Sequence, residues 1–162
     1  MEFREMRRGR QQLTEKESIE ILKRNTSGTL AVSGDNGYPY AVPLSYVYYD
    51  NALYFHCAKS GHKLDALKNC DKASFCVIDQ DDILPQKYTT LFRSVIVFGR
   101  AKIMENNNEI LEAIKKLALK YAPYNGDDAL NAEIKKGLPA MHMVKIEIEH
   151  MSGKQCIEFV KE

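Results

Sequence analysis

The sequence predicts a mainly β (α+β) protein, with six antiparallel strands closed into a small barrel and helices at its periphery. In MHMVKIEIEHM (141–151), apolar and polar residues alternate strictly from Val144 to Glu149, which indicates a strand with one buried and one solvated face. Two hairpin-type turns, GDNG (34–37) and Asp50-Asn51, separate apolar runs that are neighbours in the chain. Closing such a sheet removes its exposed edges, which favours a barrel over an open sheet.

The first half of the chain is predicted to contain two helices and three strands. TEKE (14–17) is a capping box, and it predicts a helix that ends near Lys23. The segment 27–58 then contains three strands, divided by the two turns. A short helix over about 61–69 follows them, because its leucines recur at helical spacing.

The second half is predicted to contain three strands and two helices. KASFCVID (72–79) and the long run 88–104 indicate two strands, with a polar loop between them. A second cap at Asn106 precedes an amphipathic helix, and a connector over 121–139 holds one more short helix. The alternating strand described first completes the barrel.

Composition and charge limit the class of protein. A chain of 162 residues is long enough for one well-buried core, and its 44% apolar content is that of an ordinary globular protein. A net charge of +1 gives no general electrostatic reason to bind nucleic acid or an anionic membrane. We therefore expect a single domain over 1–162, with an N-terminal arm over 1–12, and no nucleic-acid or membrane partner.

The four cysteines are far apart in the sequence and form no CxxC pair. That spacing argues against a zinc site or a thioredoxin-type motif, so we expect no metal. The opening MEFREMRRGRQQ lacks the apolar core of an export signal, so we expect a cytoplasmic location with reduced thiols.

The stretch FHCAKSGHKLDAL (55–67) places His62 and Lys63 on the first turn of the predicted short helix. A helix N-terminus carries partial positive charge, so cationic side chains there are unfavourable unless an anion lies among them. Together with Ser60 and the amide of Gly61, these two side chains would form a phosphate site. The alternative is a solvated lysine on an exposed first turn.

Two further segments carry polar groups in unusual places. The strand YPYAVPLSY (38–46) is interrupted by two prolines, so it belongs at a sheet edge or a bulge, where the amides of Leu44, Ser45 and Tyr46 are free to bond a ligand. The alternative is an edge strand protected against aggregation. In FRSVIVFGRA (92–101), Arg93 and Ser94 stand at the entrance of an apolar strand, and the alternative there is a solvated strand end.

A flat ring with hydrogen-bonding edges, joined by a polar chain to a phosphate, would use all three segments. Flavin mononucleotide (FMN) has that shape. A dinucleotide fits less well, because no GxGxxG follows a strand and no Walker-type loop is present.

Over nearly its whole length the sequence resembles the FMN-binding split-barrel superfamily, the pyridoxamine 5′-phosphate oxidase-like proteins. Within that superfamily it is most similar to the nitroimidazole-resistance (Nim-type) branch. The resemblance is carried by MRRGRQ (6–11), the segment 28–67, LPQKYTTLFRSVIVFGRAKIM (84–104) and IEIEHMSGK (146–154). It implies a six-stranded antiparallel split β-barrel and a homodimer, with FMN in a groove between the subunits.

The resemblance also implies which positions contact the cofactor. The strand from Val42 to Tyr46 would follow the flavin ring and ribityl chain, and His62 and Lys63 would hold the phosphate. The full set expected at the cofactor, from the segments and the resemblance together, is Val42, Pro43, Leu44, Ser45, Tyr46, His56, Cys57, Gly61, His62, Lys63, Arg93 and Ser94.

The chain departs from the oxidase pattern at some of these positions. Val42 and His62 stand where the oxidase has arginines, and the C-terminal arginine-containing substrate motif is absent. Oxidation of pyridoxamine phosphate itself is therefore not expected.

The leading interpretation is an FMN-dependent oxidoreductase that reduces small nitroaromatic or related flat acceptors. His56 would then be the catalytic residue that supplies a proton, unless it is an ordinary histidine at a strand end. Two alternatives are a flavin-binding carrier without turnover and a split barrel that binds haem or a deazaflavin.

Overall fold

The structure is a computed structural model that describes residues 2–160. Its helices are α1 (Glu15–Arg24), α2 (His62–Asn69), α3 (Asn107–Tyr121) and α4 (Asp127–Gly137). Its strands are β1 (Gln12–Leu13), β2 (Ser27–Ser33), β3 (Pro39–Ser45), β4 (Val47–Tyr49), β5 (Ala52–Ala58), β6 (Lys72–Leu84), β7 (Thr89–Ile103) and β8 (Met141–Gln155).

The start of α1 confirms the capping box. The Thr14 hydroxyl accepts a hydrogen bond from the Glu17 amide at 3.2 Å, and the Glu17 carboxylate accepts one from the Thr14 amide at 2.8 Å. These bonds satisfy amides that the helix itself cannot satisfy, and this fixes where α1 begins. Its buried residues Ile21 and Leu22 then join the main core.

All eight strands form one antiparallel sheet in the order β3-β2-β6-β7-β8-β5-β4, with β1 paired to β8. The two edge strands, β3 and β4, are separated in the chain by the single residue Tyr46. The sheet therefore curls until its edges meet at that residue, and the barrel is split between them.

The main core fills the inside of the barrel, where alternate residues of the long strands point. Its fully buried side chains include Leu30, Phe55, Phe75, Val97 and Ile146. Burying each such side chain stabilises the fold by about 1.5–3 kcal/mol. A second cluster lies outside the barrel, where α3 and α4 cover β5 and β8.

Lys120 on α3 fixes the corner at which β3 turns into β4. Its ammonium donates to the carbonyl groups of Leu22, Asn25 and Tyr46, and it lies 4.3 Å from the centre of the Tyr46 ring. The Tyr46 hydroxyl donates to the same Leu22 carbonyl at 2.8 Å. Burial lowers the pKa of Lys120 to about 8, because desolvation disfavours its charged form.

The predicted fold class is confirmed, but the strand count is eight rather than six. Tyr46 divides one predicted strand into β3 and β4, and the two-residue β1 adds another. The predicted polar loop after residue 79 is also partly wrong. Residues 80–84 continue β6 and pair with residues 89–93 of β7 after a bulge, so β6 and β7 form a long hairpin.

Both predicted turns are confirmed. Asn36 and Gly37 in the first turn have φ values of 56° and 79°, and Asp50 and Asn51 in the second have 48° and 51°. These left-handed conformations are tolerated best by glycine, asparagine and aspartate, which is why the turn sequences were informative.

Candidate functional site

The N-terminus of α2 is exposed and has no side-chain cap. It is preceded by Gly61, whose φ of 130° strongly favours glycine. The amides of Leu64 and Asp65 donate to the Gly61 carbonyl at 2.9 and 3.2 Å. The amides of His62 and Lys63, at the first two helical positions, point out of the helix and are available to an anion.

His62 is held against the β2–β3 hairpin. Its ring lies 4.1 Å from the Tyr40 ring, and its Nε2 is 3.6 Å from a carboxylate oxygen of Asp35. A Cβ atom placed on Gly34 would lie 3.3 Å from the same Nε2. Sequence reasoning missed Asp35, although its position in the GDNG turn was known. We call the group formed by Gly61, His62, Lys63 and Asp35 the anion corner.

Lys63 lies close enough to Cys57 to affect its titration. Burial raises the pKa of the Cys57 thiol, and the positive charge of Lys63 opposes that rise. Cys57 points into the barrel core, whereas His56 is exposed on the opposite face of β5. One ligand on one face of β5 therefore cannot contact both of these side chains, which the sequence had grouped together.

Strand β3 leaves one edge of the sheet open. Two backbone hydrogen bonds mark the two ends of its pairing with β2. The Gly34 amide donates to the Tyr38 carbonyl at 2.9 Å, and the Tyr46 amide donates to the Thr26 carbonyl at 3.3 Å. By antiparallel alternation, the even-numbered residues between them bond to β2. The amides of Ala41 and Ser45 therefore point outward.

Of the three amides predicted to be free, that of Ser45 points outward, whereas those of Leu44 and Tyr46 do not. The Tyr46 amide already bonds to Thr26, and the register turns the Leu44 amide towards β2. The Tyr46 side chain is also fully buried, and burial raises its pKa well above the ordinary value. Tyr46 holds the strand in place from the core rather than lining an outer site.

The side chains of β3 alternate in the same way. Val42 and Leu44 pack against the main core, whereas Pro43 and Ser45 are exposed on the outside of the barrel. Ligand contacts on the outer face can therefore come from the side chains of Pro43 and Ser45, with Val42 and Leu44 supporting the strand from behind.

The outer face next to β3 carries mostly small side chains. The register forms two rows across β3, β2, β6 and β7, which are Pro43–Thr29–Cys76–Ile96 and Ala41–Ala31–Ser74–Phe98. We call this surface the outer shelf. It ends at the larger side chains of β7, about 14 Å from β3 at the usual strand spacing.

Ser94 belongs to this face, but Arg93 does not. Ser94 pairs with the exposed Ile78 and lies two residues before Ile96, so it borders the outer shelf. The Arg93 side chain points to the other face. There its guanidinium lies 3.9 Å from Asp79 and 4.9 Å from the centre of the Phe159 ring. The two side chains therefore lie on opposite faces of β7, so a ligand on the outer shelf would contact Ser94 and not Arg93.

A groove of about 510 Å³ lies on the outside of the sheet, beside the turn between β2 and β3. It begins at Gly34 and Pro39, crosses Ala31 and Ser74, and ends at Phe98. We call it the upper groove. No single segment of the sequence signals it, because its lining comes from residues that only the strand register brings together.

Neither a membrane-spanning helix nor a group of metal ligands is found in the part of the chain that the structure describes. Across residues 2–160, no helix is long and apolar enough to cross a membrane. In the same range, no three side chains among histidine, cysteine, aspartate and glutamate are grouped so that they could hold a metal ion.

A curled antiparallel sheet with a split edge, a helix N-terminus near that edge and an outer shelf of mostly small side chains defines a split-barrel protein. The chain belongs to the family described as "Pyridoxamine 5′-phosphate oxidase", whose sequence model matches residues 14–155. This confirms the family predicted from the sequence. A comparison with curated proteins gives no match.

Several solved structures share the fold. One is a protein provisionally named for 5-nitroimidazole antibiotic resistance, from Bacteroides thetaiotaomicron (17% identity, TM-score 0.72, covering 89% of this chain and 86% of that one). A second is a FAD-binding protein from Mesorhizobium loti (26% identity, TM-score 0.64, covering 90% of this chain and 96% of that one). A third is a FAD and haem binding protein from Mycobacterium smegmatis (20% identity, TM-score 0.75, covering 94% of this chain and 76% of that one).

Proposed function

We propose that this protein binds the FMN unit of a flavin and acts as a homodimeric oxidoreductase on small flat acceptors such as nitroaromatic compounds. The observation that carries the proposal is the uncapped N-terminus of α2, with His62 and Lys63, beside an edge strand with outward amides at Ala41 and Ser45. The similarity to FAD-binding proteins and to a protein named for nitroimidazole resistance supports the same class of ligand and acceptor.

Each part of the chain would have a defined task. The anion corner would hold the phosphate through the amides of His62 and Lys63 and the Lys63 ammonium. The outward amides of Ala41 and Ser45 would bond the polar edge of the flavin ring. The small side chains of the outer shelf would let the ring lie flat. When bound, the flavin supplies the electron transfer, and the protein orients it and limits its contact with water.

A second copy of the chain is proposed to cover part of the outer face. Ile78 and Ile96 are 62% and 39% exposed there, and Ile83 on the long hairpin is 74% exposed. Apolar side chains grouped in this way are typical of protein–protein interfaces. An Ile78→Glu/Ile96→Glu double variant should elute as a monomer in light-scattering chromatography and retain less flavin than the wild type. A wild-type monomer with full flavin content would contradict the dimer.

The flavin proposal is tested first by the absorbance spectrum of the purified protein. Flavin bands support it, whereas a Soret band would indicate haem instead. To test turnover, the protein is reduced chemically and its reoxidation by a nitroimidazole is timed. Reoxidation faster than that of free reduced FMN supports an enzyme, and an equal rate supports a carrier.

The role of the β3 edge is tested by removing a single amide. Ser45→Pro deletes the outward N–H, and proline already occupies position 43 with the same orientation, so pairing with β2 should survive. Loss of one hydrogen bond should weaken flavin binding about 2- to 10-fold. Ser45→Ala keeps the amide and serves as the matched control. Equal affinities in the two variants would contradict the role of the amide.

His56 is proposed as the proton donor to the reduced product. It is exposed on the face of β5 opposite to Cys57, so its imidazole can exchange protons with solvent. His56→Gln should slow nitroimidazole reduction while leaving flavin content unchanged. Unchanged turnover would indicate that solvent, rather than His56, supplies the proton to the reduced product.

A further inference from the structure

Tyr46, the residue at which β3 turns into β4, has a partner for each of its polar groups. Its amide donates to the Thr26 carbonyl at 3.3 Å, and its hydroxyl donates to the Leu22 carbonyl at 2.8 Å. Its carbonyl accepts a hydrogen bond from the Lys120 ammonium at 3.3 Å, and the same ammonium lies 4.3 Å from the centre of its ring. The residue that follows the outward Ser45 amide is therefore held through its amide, its carbonyl and its side chain.

The Lys120 ammonium uses all three of its N–H donors. They bond to the carbonyl groups of Leu22, Asn25 and Tyr46. Leu22 and Asn25 lie at the C-terminal end of α1, where the last carbonyl groups have no partner within the helix, so a lysine there is an ordinary cap. Capping does not explain the bond to Tyr46, which lies outside α1. That bond joins the end of the helix to the end of β3.

A buried ammonium is a costly way to stabilise this corner. Burial lowers the pKa of Lys120 to about 8, because desolvation disfavours the charged form. Buried ionic side chains contribute little to stability, and well-packed apolar side chains in their place are often as good or better. Three directed hydrogen bonds are what the ammonium provides and an apolar side chain lacks, and they fix the position of the Tyr46 peptide group.

We propose that Lys120 is a positioning residue for the flavin site, because it fixes the direction of the outward Ser45 amide through Tyr46. This inference rests on the proposed flavin function. β3 lies at the edge of the sheet, and Ser45 is the last residue of its pairing with β2. If Tyr46 were not held, the end of β3 would be free to move and the Ser45 amide would lose its fixed direction. Lys120 thus acts through the backbone of residues 45–46.

The charge on Lys120 gives this proposal a pH dependence of definite sign. Below about pH 8 the ammonium can donate to three carbonyl groups, whereas the neutral amine above that pH has two N–H donors. Flavin affinity should therefore fall as the pH rises through about 8. The stability of the fold should change in the opposite direction, because the pKa of Lys120 is lower in the fold and the unfolded chain binds more protons in this range. If Lys120 had a purely structural role, flavin affinity would follow stability instead.

The other charged or titratable groups near Lys120 are Arg24 on α1, Tyr46 after β3, Asp79 on β6, Arg93 on β7 and Tyr121 on α3. Asp79 is partly desolvated, but hydrogen bonds from Arg24 and Asn25 outweigh this effect and lower its pKa. The hydrogen bond to Asp79 raises the pKa of Arg24, and burial raises the pKa of Tyr46 well above its ordinary value. These three groups therefore keep their charge between pH 7 and about 9.5. Tyr121 is tested as Tyr121→Phe, which should keep the pH dependence of the wild type.

The experiment measures riboflavin affinity by the quenching of flavin fluorescence from pH 7 to about 9.5. Riboflavin is used because it has no phosphate, so His62 and Lys63 do not enter the result. The affinity of the wild type should fall about 2- to 10-fold, the range expected for one hydrogen bond. In Lys120→Met the affinity should be lower by that factor already at pH 7 and should not fall further. Titration of riboflavin itself affects both proteins equally. Lys115→Met, at an exposed position of α3, is the matched control and should behave as the wild type does.

A double variant separates positioning from a general effect on the fold. Lys120→Met and Ser45→Pro weaken the same hydrogen bond by different means, so the loss in the double variant should equal that of Ser45→Pro alone. Losses that multiply would show that Lys120 acts independently of the Ser45 amide, and they would overturn the proposal. A wild-type affinity that stays constant or rises with pH would also overturn it and leave the proposed function standing, and this measurement requires no variant. Failure of the wild type to bind either riboflavin or FMN would overturn both.

Discussion

Replacing Lys63 by alanine should weaken FMN binding about 10- to 150-fold. Among residues 2–160, no carboxylate lies within ion-pair distance of Lys63, whereas Lys68 on the same helix is paired with Asp65 at 3.6 Å. Lys63 is half-buried next to the end of β5, so its interaction with a phosphate is only partly screened by water. A hydrogen bond to a charged group contributes about 1.5–3 kcal/mol, which gives the range stated above.

The assay must separate the phosphate from the rest of the cofactor. Wild type and Lys63→Ala are therefore titrated in parallel with FMN and with riboflavin, which lacks the phosphate. The loss should appear with FMN and be absent with riboflavin. Lys68→Ala is the control, because it removes a cation from α2 without affecting its N-terminus, and it should bind both flavins as the wild type does. If Lys63→Ala lost affinity for FMN and for riboflavin equally, the reasoning would be refuted. The lysine would then affect the fold or the binding of the flavin ring rather than the phosphate.

Three further predictions concern other parts of the molecule. Asp35→Asn should strengthen FMN binding about 1.4- to 5-fold and leave riboflavin binding unchanged, because an exposed charge contributes about 0.2–1 kcal/mol; weaker FMN binding would contradict this. Gly99→Ala should destabilise the fold by about 3 kcal/mol in urea unfolding, because its Cβ would lie 2.1 Å from the Glu147 carbonyl oxygen, whereas Gly9→Ala, with open space around it, should not. The pKa of Lys120 is about 8 in the fold and 10.5 in the unfolded chain, so the unfolded state binds more protons between these values. The free energy of unfolding should therefore rise from pH 8 to 10 more steeply in the wild type than in Lys120→Met, and equal slopes would contradict the burial of the ammonium.

The elements that the sequence predicted best are those whose signals are local. The capping box of α1 depends only on residues 14–17, and the two hairpin turns depend on dipeptides that accept a left-handed backbone. The alternation in 141–151 reports which side of β8 faces the core, and Val144 and Ile146 are indeed fully buried. In each case the physical cause lies within a few residues, so no tertiary information is needed.

The elements that were missed depend on distant parts of the chain. The division of one strand at Tyr46 arises because its ring enters the core and its hydroxyl bonds to Leu22, while Lys120 contacts its carbonyl from α3. The extension of β6 through residues 80–84 has no burial pattern to reveal it, since that part of the hairpin projects from the barrel. Neither feature has a signal within its own segment.

The candidate site shows how residues adjacent in the sequence can be separated in a strand. His56 and Cys57 were grouped because they are neighbours, as were Arg93 and Ser94, yet in a strand consecutive side chains point to opposite faces. The surface next to the anion corner is instead built from rows that cross β3, β2, β6 and β7, with one residue from each strand. A ligand on that surface contacts every second residue of a strand, so substitutions at positions 41, 43 and 45 should affect binding directly. Substitutions at positions 42 and 44 should act through the stability of β3, and this contrast can be measured by comparing flavin affinity with the free energy of unfolding.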